Sequence, residues 1–177
     1  MQTKEFYERL SAMVGTGLFL LLAPGTVAGL VPWWITRWHK NPPLLGFPGF
    51  LVIGGLMIAA GIAVVLDSFA RFALQGLGTP APILPTRHLV VSGLYQYVRN
   101  PMYVGVLGII LGQGLFFGDG RLFTYGVLLW LVVHVFVVGC EEPTLRRSFG
   151  TEYEAFRRNV PRWIPRLSPW RRGEDGT

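Results

Sequence analysis

The residues equipped for chemistry fall in two short stretches about forty residues apart. The first, Arg87 to Gly105, reads RHLVVSGLYQYVRNPMYVG and sets a histidine, two arginines, three tyrosines, an Asn-Pro turn and two glycines between apolar segments. The second is Glu141-Glu142, at the end of an apolar run, with Arg146-Arg147 just beyond. In a bilayer, polar side chains and non-helical backbone persist only where protein buries them or where they line a wet cavity, so both stretches read as parts of a site. Carboxylates at one helix exit, opposite Arg99 and Tyr103 at a helix entrance, offer partners to a cation and an anion together. A positively charged zwitterion beside a lipid-accessible cleft fits such a set. Glu and Arg at the ends of spans are also ordinary interfacial residues, and the residue types alone leave both readings open.

The elements that position these residues follow from composition. The chain has 177 residues, 51% hydrophobic and 15% charged, with mean hydropathy +0.42, a balance of an integral membrane protein. Its net charge of +6 sits beside hydrophobic spans rather than among exposed aromatics, which points to anionic membrane lipids and away from nucleic acid. One cysteine, Cys140, excludes an intrachain disulfide and a multi-cysteine metal site. His39, His88 and His134 have no ligand spacing, and no metal is expected. Lys4 and Arg9 precede an apolar run longer than a signal-peptide core, with no small-x-small cleavage site, so no cleavable signal is expected.

The fold class expected is an all-α integral membrane protein with about four transmembrane helices and a cytosolic C-terminal amphipathic helix. Residues 1–177 read as one domain: two N-terminal spans in 1–70, a motif loop in 71–101, a helical hairpin in 102–140 and a tail in 141–177. Leu10 to Thr36 is free of charge and long enough to cross about 30 Å of hydrocarbon; Pro24 is expected to kink it, and Trp33, Trp34 and Trp38 to mark its exit. Gly49 to Leu66 is the second span, with Gly54, Gly55, Ala59, Ala60, Gly61 and Ala63 spaced for close helix approach, within the bundle or across a homodimer. Asp67 and Arg71 close it at i,i+4 spacing, and GLGTPAPILPT then cannot be regular helix. Pro101 fits the first turn of a third span, Met102 to Phe117, and Asp119-Gly120 turns the chain into a fourth containing His134, read as a buried neutral histidine bonded to a neighbouring helix. A tail helix from about Pro143 to Asn159 precedes a Pro/Trp-rich membrane-surface segment. Thirteen Lys and Arg lie in the N-terminus, the 71–101 connection and the tail, against Arg37, Lys40 and Arg121 opposite, so both termini are expected in the cytoplasm.

The ordered series H-x-V-V-x-G-x-Y-x-x-x-R-N-P-M-Y-V-G, a hydrophobic hairpin, then E-E-P-x-L-x-x-x-F-G-x-x-Y-x-x-F-x-x-x-V-P-x-x-I-P resembles the isoprenylcysteine carboxyl methyltransferase family, itself similar to phospholipid N-methyltransferases. The likeness covers Gly76 to Pro165. It implies S-adenosylmethionine as cofactor at the cytosolic membrane face, with a lipidic or hydrophobic acceptor arriving from the bilayer. By motif, His88, Leu89, Val90, Gly93 and Tyr95 would line the adenosine pocket, Arg99, Asn100, Pro101 and Tyr103 would hold polar parts of the cofactor, and Glu141 and Glu142 would face its amino group or sulfonium. Arg146 and Arg147 are assigned to the acceptor's carboxylate or phosphate, with Glu142 or Glu141 as base where the acceptor must lose a proton. The family often has Arg-His-Pro where this chain has Arg99-Asn100-Pro101; Asn donates and accepts hydrogen bonds like neutral His but carries no proton. The activity implied first is carboxyl O-methylation of an isoprenylcysteine-like substrate by direct in-line transfer. Alternatives are a phospholipid N-methyltransferase, a thiol methyltransferase, an NADPH-dependent sterol-type reductase and a non-enzymatic lipid-binding scaffold. The four-span body suggests a prokaryotic inner-membrane protein.

Overall fold

An apolar chain in a bilayer can satisfy its backbone only within itself, and helices do this segment by segment. The computed structural model describes residues 22–71 and 89–171, and among these there are helices, turns and irregular connections but no strand. The first helix, α1 (22–36), carries the end of the first expected span; residues 10–21 of that span lie outside the described residues. The irregularity expected at Pro24 takes the form of a π turn just after it, Thr26–Leu30, before α-helix resumes over Val31–Thr36. Two carbonyls of this turn are held by side chains of other helices. Tyr125 donates its hydroxyl to the Val27 carbonyl at 2.9 Å, and Gln113 donates its amide to the Ala28 carbonyl at 2.7 Å while accepting from the Trp38 indole at 3.2 Å. Gln113 is buried, so Gln113→Leu strands a carbonyl and an indole N–H together. The expected cost is about 1–3 kcal/mol, seen as a lower thermal midpoint of the detergent-purified protein.

The second span is longer than expected: α2 runs over Gly49–Arg71, so Asp67 and Arg71 belong to its last turns. There they form a bidentate pair, Nε to Oδ2 at 2.7 Å and Nη2 to Oδ1 at 2.8 Å. Helix α3 is Pro101–Phe117, with proline in its first turn where a missing N–H costs nothing. The glycines of α2 meet those of α3 in antiparallel register. A Cβ on Gly54 would lie 2.6 Å from the Gly112 carbonyl oxygen, and one on Gly61 2.7 Å from the Gly105 carbonyl oxygen. Gly54 and Gly61 are thus used inside the chain, against α3, while Ala59, Ala60 and Ala63 are exposed.

Gly118, at φ 65°, ends α3 in the left-handed conformation, and Asp119 accepts from the Arg121 backbone N–H at 3.0 Å and from its guanidinium at 2.7 Å, closing the expected hairpin turn. Helix α4 (Arg121–Phe136) does not stop at the glutamate pair. It passes through a π turn, Val137–Glu141, straight into α5 (Glu142–Asn159), which is broken at Gly150, where φ is 52° and ψ is −124°. The helix Gly49–Arg71 and the continuous helix Arg121–Asn159 are each long and apolar enough to cross a membrane, and Pro101–Phe117 is apolar but shorter. Their outward faces expose Leu56, Val132 and Val135, as lipid-facing helices do.

The Pro/Trp-rich segment after α5 folds back onto the motif loop. Arg99 N–H donates to the Pro161 carbonyl at 2.9 Å, Arg166 N–H to Tyr97 at 3.0 Å and Trp170 N–H to Gln96 at 3.0 Å. Trp170 is therefore buried with Tyr153, Phe156 and Val160, whereas Ile164 and Leu167 stay exposed. The expectation of a surface segment fails for Trp170 because the loop's unpaired carbonyls are the better partners for its backbone.

Candidate functional site

The site is assembled where the motif loop, the entrance of α3, the α4–α5 junction and the returning tail meet. The loop turns at Gly93, whose φ of 55° is left-handed and whose missing Cβ makes room for the Arg71 guanidinium. Arg71 also donates to the Ser92 hydroxyl at 3.3 Å, so α2 pins the loop's first turn. A 3₁₀ turn, Gly93–Gln96, then buries Tyr95; burial pushes its hydroxyl above the ordinary tyrosine range, so it stays neutral. Asn100 precedes α3 and donates its amide to the Arg162 carbonyl at 3.2 Å, a structural role that needs no proton to move.

Opposite, the π turn brings both glutamates inward on successive positions. Glu142 is 3% exposed and takes two guanidinium groups: Arg99 Nη1 at 3.0 Å, and Arg162 through Nε at 2.6 Å and Nη2 at 3.1 Å. The hydrogen bond to Glu142 raises the Arg162 pKa above its ordinary value and keeps it charged. Arg99 Nη1 also donates to the Tyr153 hydroxyl at 3.3 Å, tying the cluster to the core under α5. Glu141 is engaged differently: its partner is the Tyr103 hydroxyl, which donates to Oε2 at 3.2 Å.

Above this pair lies an aromatic wall. The Trp163 indole donates to His134 Nδ1 at 3.1 Å, and its ring lies 6.4 Å from Tyr103 and 6.4 Å from Trp130. His134 therefore does have a polar partner, supplied by the tail rather than by a neighbouring span. Below Tyr103, between α1, α3 and α4, opens an apolar cleft of about 120 Å³ lined by Pro24, Val27, Met102, Val106, Leu129 and their neighbours. A hydroxyl–carboxylate pair and an apolar cleft thus adjoin at Tyr103, and the charged cluster is built on Glu142, the next residue after Glu141.

Of the residues singled out from the sequence, His88 lies outside the described residues. Arg99, Glu142, Tyr103 and Glu141 come together as two linked pairs, and Pro101 is buried at the head of α3. Val90 is buried, and Leu89 packs on the cluster beneath α5. Arg146 is turned to Glu154 at 2.9 Å, Arg147 is exposed, and neither lines the cleft. Sequence reasoning missed Arg162, Trp163 and Trp130. The first two occupy the variable positions of V-P-x-x-I-P, so the fixed letters marked a turn whose wildcards carry the contacts.

One buried side-chain polar atom among the described residues has no hydrogen-bond partner: Arg99 Nε. A stranded guanidinium N–H in such a place calls for an acceptor from outside the chain. With Glu141 nearby as an anionic counterpart, the donor set suits a small zwitterion bearing a carboxylate and a cationic centre.

The comparisons with known proteins agree in direction. Residues 50–152 match the family model for phospholipid methyltransferase. The chain is 31% identical over 121 residues to the protein-S-isoprenylcysteine O-methyltransferase of Schizosaccharomyces pombe, covering 66% of this chain and 47% of that protein. It is 30% identical over 141 residues to methanethiol S-methyltransferase 2 of Bradyrhizobium diazoefficiens, covering 73% of this chain and 51% of that protein. An uncharacterized protein of Haemophilus influenzae is 32% identical over 63 residues, 36% of this chain and all of its own length. The chain thus spans about half the length of the two named enzymes it matches. No solved structure matches it. The match from residue 50 to 152 takes in α2, the motif loop, both hairpin helices and the glutamate pair, and the chain belongs to the phospholipid methyltransferase family.

Proposed function

We propose that the chain is a membrane methyltransferase that uses S-adenosylmethionine and acts on a hydrophobic acceptor at the cytoplasmic face of the bilayer. The observation that carries this is the unpartnered, buried Nε of Arg99, whose guanidinium binds Glu142, the neighbour in sequence of the Glu141 that is bonded to the cleft-lining Tyr103. Arg99 Nε would take the cofactor's carboxylate, and Glu141 would stand near its cationic groups. Bound there, the cofactor supplies an electrophilic methyl carbon on a sulfonium. The chain's own residues position and exclude: Arg99 and Arg162 hold Glu142 fixed, Trp163 and Trp130 keep water from the junction, and the cleft leads a lipophilic group to Tyr103. Both named relatives act on sulfur-bearing compounds by name, one as an O-methyltransferase and the other as an S-methyltransferase. The carboxyl group of an isoprenylcysteine-like compound is therefore the acceptor that family likeness puts first. Arg146 and Arg147 would serve it only from outside the cleft.

The test is calorimetric titration of the detergent-purified protein with S-adenosylhomocysteine, with NADPH as control. Micromolar binding of the nucleoside and none of NADPH is the expected result, followed by labelled methyl transfer into isoprenylcysteine analogues or lipid extracts. Binding of NADPH alone would move the chain to the reductase reading, and binding of neither would leave a scaffold.

A further inference from the structure

The returning segment that brings Arg162 and Trp163 to the site leaves part of itself uncovered. Of residues 161–170, Trp170 is buried, whereas Ile164 is 79% exposed and Leu167 fully so. What these two side chains meet follows from the depth at which the segment lies, and Trp163 fixes that depth. Its indole donates to His134 Nδ1 at 3.1 Å and its ring lies 6.4 Å from that of Trp130, both residues of α4. No Asp, Glu, Lys or Arg stands between Arg121 and Glu141, and His134 lies six residues, about 9 Å of helix, before the end of that apolar run at Cys140. Around His134, α4 turns Val132, Val135 and Val138 outward. Ile164, the next residue after Trp163, therefore leaves the protein where interfacial segments sit, about 5–10 Å into the headgroup–acyl boundary of a bilayer. Charge agrees with this position. Residues 158–171 hold Arg158, Arg162, Arg166 and Arg171 and no acidic residue, and Arg158 and Arg171, at its two ends, are exposed.

Backbone chemistry adds a condition. Peptide groups enter an apolar layer at low cost only when their hydrogen bonds are already made. This segment finds such bonds on the motif loop, where Arg99 N–H meets the Pro161 carbonyl, Asn100 the Arg162 carbonyl, and the Arg166 and Trp170 N–H groups the carbonyls of Tyr97 and Gln96. In the same position Arg162 is on Glu142 and Trp163 on His134. A bilayer that takes up Ile164 and Leu167 thus favours the one arrangement that also completes the site, which is the differential interaction a population shift requires.

Resting on the methyltransferase reading above, we propose that residues 161–170 dock on a phospholipid surface through Ile164 and Leu167, and that this docking holds Arg162 and Trp163 in the site and so tightens binding of the cofactor. The two aliphatic side chains enter the boundary, and Arg158 and Arg171 meet anionic headgroups at the rim of the contact. The lipid surface is then a partner of the site as well as a solvent for the spans.

The test uses the full chain in nanodiscs of mixed phosphatidylcholine and phosphatidylglycerol. On a Cys140→Ser background, a fluorophore at Leu167→Cys is expected to be quenched by lipids spin-labelled near the headgroup, and to be shielded from aqueous iodide about fivefold relative to the free fluorophore. Calorimetry in the same nanodiscs reads the coupling. Ile164→Ser/Leu167→Ser is expected to weaken binding of S-adenosylhomocysteine about tenfold, whereas Ile164→Leu/Leu167→Ile, which keeps the aliphatic character, should retain wild-type affinity. Iodide quenching equal to that of the free fluorophore overturns the docking. Shielding from iodide without quenching by the spin-labelled lipid overturns it too, because the cover would then be protein, such as a second copy of the chain. Equal affinity of the serine variant and the wild type overturns the coupling. Absence of S-adenosylhomocysteine binding by the wild type removes the methyltransferase reading and the coupling with it, while the quenching still decides the docking.

Discussion

Glu142→Ala is expected to lower stability by about 3–5 kcal/mol and to abolish binding of S-adenosylhomocysteine. The reason is that Glu142 is, among the described residues, the carboxylate that pairs with both Arg99, whose side chain is 9% exposed, and Arg162. Its removal leaves a buried guanidinium with no counter-ion and takes away the group that fixes Arg99 Nε in place. The thermal midpoint in detergent should fall on the order of 10 °C, at about 2–4 °C per kcal/mol for a chain of this size. A fall in binding alone would leave stability and function confounded, so a companion variant separates them. Arg99→Met/Glu142→Leu/Arg162→Met removes all three charges at once and leaves no unpaired ion. It should recover much of the lost stability, because an apolar replacement of a buried ionic cluster is often neutral or better. It should not recover binding. A triple variant that bound the nucleoside would show that the charges hold only the fold.

Gly61→Val is expected to separate α2 from α3, with a loss of about 1–3 kcal/mol or more. A Cβ at Gly61 points at the Gly105 carbonyl oxygen and at Ile109 Cγ1, both 2.7 Å away, and the first of these is backbone that cannot rotate aside. Gly54 faces the Gly112 carbonyl in the same way, two helical turns along. Gly54→Ala and Gly61→Ala act on one interface, so their double variant should cost less than the sum of the two. Because α3 also carries Tyr103, the displacement should reach the site and lower activity more steeply than the stability loss implies. Gly108→Ala is the internal control: its Cβ would meet only the Met57 carbonyl oxygen, at 4.0 Å, and it should be neutral or slightly stabilising. Unequal thermal midpoints for Gly61→Val and Gly108→Ala are the measurement; equal ones would refute the glycine-to-glycine contact.

The parts of this molecule that were legible in the sequence are those set by local rules. Proline in the first turn of α3, the Asp119-Gly120 turn and the i,i+4 spacing of Asp67 and Arg71 each need only a few neighbouring residues, and each is found where its spacing placed it. The convergence of Arg99 and Tyr103 on the glutamate pair was legible from topology, since a hairpin returns its two ends to one side. The division of labour within that pair was not. Whether Glu141 or Glu142 takes the guanidinium groups depends on the rotation between adjacent positions, and here a π turn sets that rotation without a sequence signature. Small residues on α2 announced close approach, but their partner could be found only once Gly105 and Gly112 were in register with them. The returning tail was hidden for another reason: three backbone hydrogen bonds lay it on the motif loop, and these leave no mark on residue type.

That returning tail fixes when the site can exist during synthesis. Asn100 meets Arg162 across 62 residues of chain, and Gln96 awaits Trp170. A ribosome making this protein delivers the motif loop first, then the α3–α4 hairpin, and only afterwards the strap that folds back on the loop. A nascent chain halted before Pro161 carries both glutamates yet has neither Arg162 nor Trp163. Completion of the Glu142 cluster is thereby deferred until the helices before the tail are made, so a fusion partner joined close behind Trp170 should delay or prevent assembly where one joined at a distance does not.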